Sequence, residues 1–120
     1  MIRGFLIDEH LPAWWRRALV RRAPEVRIWR GGGVGAPPLR SPDPVLLEWC
    51  EAQECVLLTD NRTSMPGHLA EHMRQGRHIP GIFHVEASMN VVRLAEGLQI
   101  ILGASMEDEF RDQINYFPLL

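Results

Sequence analysis

Two rhythms of hydrophobic and polar positions alternate along the chain. Phe5-Leu6-Ile7 is an apolar run that stops at Asp8-Glu9, and it predicts a buried strand over about Ile2–Ile7. Leu11, Trp14, Trp15, Ala18 and Leu19 then recur at helical spacing as far as Arg22, with Arg16, Arg17 and Arg21 on the other side. Pro12 suits the first turn of that helix and Pro24 ends it. Glu25–Trp29 alternates, as a short strand does, and the Gly- and Pro-rich stretch Arg30–Pro38 can only be loop. Ser41-Pro42-Asp43-Pro44 predicts a helix start, with Ser41 or Asp43 as the cap. Leu46, Trp49 and Cys50 mark the buried face of that helix up to about Gln53. Cys55–Thr59 is continuously apolar, the signature of a strand buried on both faces. Ser64-Met65-Pro66 opens a third helix carrying Leu69, His72 and Met73, and Gly76 closes it. Pro80–Val85 predicts a fourth strand, 88–103 a long amphipathic helix, Met106–Asp112 an acidic helical turn, and Ile114–Leu119 a last strand.

The order is strand and helix in strict alternation. It predicts an α/β fold with three layers, helices on both faces of a mainly parallel sheet of about five strands, in a single domain over 1–120. The first and third strands are the most apolar and belong at the centre. Composition fits a soluble globular chain, at 46% hydrophobic and 23% charged. No apolar run is long enough to cross a membrane, and no secretory signal is visible, so a cytoplasmic location is expected. Cys50 and Cys55 are too few for a disulfide framework and read as small buried hydrophobes.

Charge changes the picture more than composition does. The net charge is −2, yet every one of the 13 basic residues is arginine. The lack of lysine excludes a P-loop nucleotide site, Schiff-base chemistry and a receiver-type phosphoacceptor site. Residues 1–40 hold eight Arg against three acids, and 41–120 hold five Arg against twelve acids. Either a phosphate-binding surface stands beside an acidic site, or the two halves simply attract each other.

Asp8 and Asp60 each follow a buried strand directly. If those strands are parallel neighbours, both carboxylates reach the same edge of the sheet, where open α/β folds place their chemistry. Asp43 opens the intervening helix, Glu9 and Glu48 are secondary candidates, and Asn61 can offer a carbonyl oxygen. Clustered carboxylates repel unless a cation neutralises them, and hard oxygen donors suit Mg²⁺ or Mn²⁺. Each acid also has a plainer role, since Asp43 and Asp8 can cap helices and Asp60 can hold a turn. His68 and His72 stand four apart on a helix, but Leu69 follows His68 where a metalloprotease motif needs Glu, so a surface or half-buried pair is expected. The adjacent Trp14 and Trp15 cannot both point inward from one helix, which leaves one for a partner or a second subunit.

Taken together, the stretches Phe5–Pro12, Ser41–Cys50, Val56–Arg62, Pro80–Ile82 and Ile114–Leu119 resemble the PIN-like domains, in particular a compact bacterial branch of unknown function. The resemblance implies a small α/β/α fold and acids that bind Mg²⁺ or Mn²⁺. It implies an endoribonuclease acting on RNA, in some relatives the toxin of a toxin–antitoxin pair, with an antitoxin protein as partner. Carried over, Asp8 matches the acid after the first strand and Asp43 the acid in the middle, with Glu48 competing. The family's third motif reads Thr, any residue, Asp; here Thr59 is followed by Asp60 and Asn61, so Asn61 holds the usual acid position. The expected metal set is Asp8, Asp43 and Asp60 or Asn61, with Arg62, Arg16 and Arg17 on RNA phosphates. The alternative is a catalytically weakened module that keeps the fold and binds RNA or a protein, and a homodimer stays open.

Overall fold

The computed structural model describes residues 2–104 and 108–117. The elements follow in the order β1 (Gly4–Ile7), α1 (Trp15–Arg22), β2 (Ile28–Arg30), α2 (Asp43–Gln53), β3 (Cys55–Thr59), α3 (Met65–Arg74), β4 (Ile82–His84), α4 (Val91–Ala104) and β5 (Ile114–Tyr116). The five strands form one sheet in the order β2-β1-β3-β4-β5, and every pairing is parallel. The α/β/α expectation therefore holds, with β3 in the middle and β1 beside it.

Alternation along each strand sorts the core into two layers. Phe5, Ile7, Val56, Leu58, Phe83 and Val85 face α1 and α4, where they meet Trp15, Leu19, Leu94, Leu98 and Ile101. Leu6, Leu57 and Ile82 face α2 and α3, against Leu46, Leu47, Cys50, Met65 and Leu69. All five residues of β3 are buried, as its unbroken apolar run requires. The turn from α2 into β3 is made by Glu54 in a left-handed conformation (φ 56°), whose N–H satisfies the last helical carbonyls.

Several boundaries differ from the pattern. α1 starts at Trp15, not near Leu11, because Leu11 N–H bonds back to Asp8 O and Trp15 N–H to Pro12 O, making two turns first. The segment Glu25–Val26 is also turn, since Val26 N–H bonds to Ala23 O, and β2 is shifted to Ile28–Arg30. Pro42 occupies the cap position of α2 with no side-chain cap bond, so neither Ser41 nor Asp43 caps it. α4 begins three residues late because Asn90 Oδ1 accepts from Val92 and Arg93 N–H. β4 and β5 are each three residues. Of the acidic stretch, 108–112 is turn; Met106 lies outside the described residues, as do Pro118 and Leu119. Among the described residues no helix is long and apolar enough to cross a membrane.

Candidate functional site at the carboxyl edge of the sheet

The strand order reverses direction between β1 and β3: the chain runs outward to β2 on one side and to β4 and β5 on the other. At such a switch point two loops diverge and leave a crevice at the carboxyl ends of the strands. Asp8 sits there. Its N–H extends the ladder by bonding to Leu58 O (2.9 Å), so its side chain continues the Leu6 face of the sheet, toward α2 and α3. The residue is only 4% exposed. A buried carboxylate must be fully hydrogen-bonded, and Asp8 is. Thr59 Oγ1 donates to its Oδ2 at 2.9 Å, while the His10 backbone N–H donates to Oδ1 at 3.2 Å and His10 Nδ1 stands 3.1 Å from the same oxygen.

The second acid joins through Asn61. Its backbone N–H donates to Thr59 Oγ1 (3.1 Å), and its side-chain NH₂ donates to Asp43 Oδ2 (2.8 Å) and Ser64 Oγ (2.7 Å). Ser64 N–H in turn donates to Asn61 Oδ1 at 3.1 Å, which fixes which end of the amide faces Asp43. His68 Nε2, one turn into α3, lies 3.7 Å from the same Asp43 oxygen. Asp8, Thr59, Asn61 and Asp43 thus form one continuous set of contacts across β1, β3 and the start of α2.

The other expected residues divide. Asp60 is exposed at the rim, and among the described residues its side chain has no partner. Glu9 acts as a loop clamp, its Oε1 accepting from Arg40 N–H and its backbone oxygen from Arg30 Nη2 (2.9 Å). Glu48 points away and pairs with Arg77 at 3.6 Å. Arg16 Nε donates to Ile28 O at 2.8 Å and so docks α1 on β2, whereas Arg17 and Arg62 are exposed. His68 and His72 do not converge: His72 turns to Glu51 (3.0 Å) and the His78 carbonyl (3.1 Å). Burial pushes the Cys55 thiol up to about 12, outweighing the nearby Arg3 and Arg27, and raises Cys50 well above its ordinary value, so neither is a nucleophile.

Three site residues were not picked out from the sequence. Thr59, His10 and His84 all bear on this edge. Thr59 and His84 are register partners on β3 and β4, both buried on the same face as Asp8, and among the described residues His84 Nδ1 is buried without a partner. Counting in twos from Leu57 and Ile82 would have placed both beside Asp8.

Among the described residues no three His, Cys, Asp or Glu side chains are grouped to hold a metal ion. Mg²⁺ asks for less, since it commonly takes one or two carboxylates and completes its octahedron with water and substrate phosphate. Asp8 and Asp43 fit that donor chemistry, while Asn61 turns its NH₂ to Asp43 and its oxygen to the Ser64 N–H. A concavity of about 370 Å³ opens elsewhere, against residues that precede β1, β3, β4 and β5 such as Ile2, Glu54, Pro80 and Arg111. Comparison with family models found no match, and neither did comparison with curated proteins or with solved structures.

Proposed function

We propose that the chain is a metal-dependent endoribonuclease of the PIN-like kind, hydrolysing phosphodiester bonds of RNA. One observation carries the reading: a buried, fully hydrogen-bonded Asp8 stands at the switch point, and Asp43 is tied to it through Thr59 and Asn61. Asp8 and Asp43 would hold Mg²⁺ or Mn²⁺, with Asp60 reaching in from the rim. Such a cation, when bound, supplies a Lewis acid and lowers the pKa of its water toward neutrality. The rest falls to the chain's own groups. Thr59 and His10 N–H hold the Asp8 carboxylate in one orientation, and Asn61 does the same for Asp43. Arg62 and Arg17 are exposed, and on this reading they would meet substrate phosphates. A cytoplasmic toxin held in check by an antitoxin protein belongs to the same reading.

The test is RNA cleavage with Mn²⁺, comparing the wild type with Asp8→Asn. Cleavage by the wild type and its loss in the variant are expected; equal activity in both would remove Asp8 from the chemistry.

A second reading has its own support. The Asn61 NH₂ already balances the Asp43 carboxylate, at the position where a third acid would otherwise call for a cation. A weakened module that binds RNA or a protein partner follows from that. It is favoured if calorimetric titration shows no Mg²⁺ or Mn²⁺ uptake at millimolar concentration.

A further inference from the structure

The arginines are sorted by the two ends of the sheet. Arg3, Arg74, Arg77 and Arg111 form ion pairs, with Glu54, Glu71, Glu48 and Glu51, and Asp108 and Asp112 respectively. All four stand at the amino ends of the strands: just before β1, at the end of α3, just before β4 and just before β5. Arg21 and Arg22, in the last turn of α1, suit the negative pole of that helix, and Arg27 stacks over Trp29. The carboxyl edge is different. There Arg17 and Arg93, in the first turns of α1 and α4, and Arg40 and Arg62, in the loops before α2 and α3, are all exposed. Among the described residues none of these four guanidinium groups forms an ion pair. Two belong to the α1/α4 side of the sheet and two to the α2/α3 side.

A second observation lies on the same edge. Trp14 is 58% exposed at the entrance to α1, although its neighbour Trp15 is 0% exposed. Trp29 and Trp49 are by contrast packed edge to face at 5.5 Å. An exposed indole among unpaired guanidinium groups has the chemistry of single-stranded nucleic-acid sites, where cations follow the backbone and an aromatic face takes an unstacked base. A duplex offers no such face.

We infer that the carboxyl edge binds single-stranded nucleic acid, with Trp14 stacking on a base and Arg17, Arg40, Arg62 and Arg93 contacting phosphates on both sides of Asp8. The inference deepens the nuclease reading by adding the track that carries the strand across the site, but it asks nothing of metal binding or cleavage.

Binding is therefore measured in EDTA, by fluorescence anisotropy of labelled oligonucleotides of about twelve nucleotides, a length that spans a single-domain site. RNA and DNA of one sequence are used, each single-stranded and as duplex, with circular dichroism to confirm that every variant is folded. The wild type binds single strands over duplexes, and the RNA and DNA arms separate a backbone-general site from one that reads the 2′-hydroxyl. Trp14→Ala weakens binding about tenfold while Trp14→Phe keeps most of it. Charge reversal at Arg17, Arg62 or Arg93 weakens binding and lowers the salt slope by about 0.7 for each contact removed. Arg3→Glu, at the opposite end, changes neither. Equal binding of duplex, equal loss in Arg3→Glu, or no binding by the wild type at low salt overturns the inference. Binding that follows the edge variants while Asp8→Asn cleaves normally sinks the catalytic assignment alone. Cleavage that needs Asp8 with binding indifferent to the edge variants sinks the track alone.

Discussion

Thr59 Oγ1 donates to Asp8 Oδ2 at 2.9 Å, and the two residues are 1% and 4% exposed. The bond joins the ends of two neighbouring strands at a position closed to solvent. Thr59→Val keeps the shape and removes the donor, so Asp8 is left with a buried, unsatisfied oxygen. A loss of about 1–3 kcal/mol is expected in urea unfolding, and Thr59→Ser should recover most of it. If Thr59→Val unfolds like the wild type, the bond is not holding the carboxylate.

Asn61 is where the site can be rebalanced. Replacing it with Asp sets a carboxylate within reach of Asp43, whose Oδ2 now accepts from the amide at 2.8 Å. Repulsion should lower the melting temperature in EDTA. A cation that binds only the folded state then restores stability by mass action. The expected outcome is a larger Mn²⁺-induced rise in melting temperature for Asn61→Asp than for the wild type. The same shift in both would mean that Asp43 and position 61 do not share an ion.

Glu51 gives a pH signature far from the site. Burial works to raise its pKa, but the His78 N–H, the Arg77 guanidinium and His72 outweigh it and hold it below the ordinary 4.5. A carboxyl lowered on folding adds stability above its unfolded pKa and loses it as pH falls through the folded value. Glu51→Gln should therefore be destabilised at neutral pH, and the gap to the wild type should narrow as pH drops below about 4.5. Unfolding midpoints measured from pH 7 downward check this; a gap that stays constant would assign the effect to packing.

The cysteines offer a probe of rigidity. Both are buried, and burial raises both thiols. The folded protein at mildly alkaline pH should react slowly with a thiol reagent and take up two equivalents only after denaturation. Fast reaction of the native protein would show that the α2–β3 packing opens readily.

Gly4 tests the edge of the sheet. A Cβ there would lie 2.6 Å from Arg27 O and 2.8 Å from the Trp29 ring. The carbonyl is backbone and accepts from Phe5 N–H, so it cannot yield without loosening β2. Gly4→Ala should cost about 1–3 kcal/mol by overpacking. A neutral result in thermal unfolding would show β2 to be loosely attached.

Much of this was readable in the residues themselves. The unbroken run Cys55–Thr59 placed β3 at the centre, and the post-strand position of Asp8 put it on the rim where it lies. What was not readable depends on groups distant in sequence. Whether Asn61 offers its oxygen or its NH₂ to Asp43 is decided by the Ser64 N–H. Arg16 resembles its neighbour Arg17 in sequence, but only the fold reveals that Ile28 O captures its Nε. The start of α1 moved because Pro12 and Asp8 use their carbonyls for turns, which apolar spacing cannot register.

The pairing of Thr59 with Asp8 also bears on how the chain avoids misfolding. β1 and β3 are short and mostly apolar, so hydrophobicity alone discriminates poorly among alignments. A slip of one position would turn Asp8 into the α1/α4 layer, beside Val56 and Leu58 of β3 and away from the Thr59 hydroxyl. The charge that defines the rim is thus also an error check, making misaligned pairings too costly to persist before any ligand arrives.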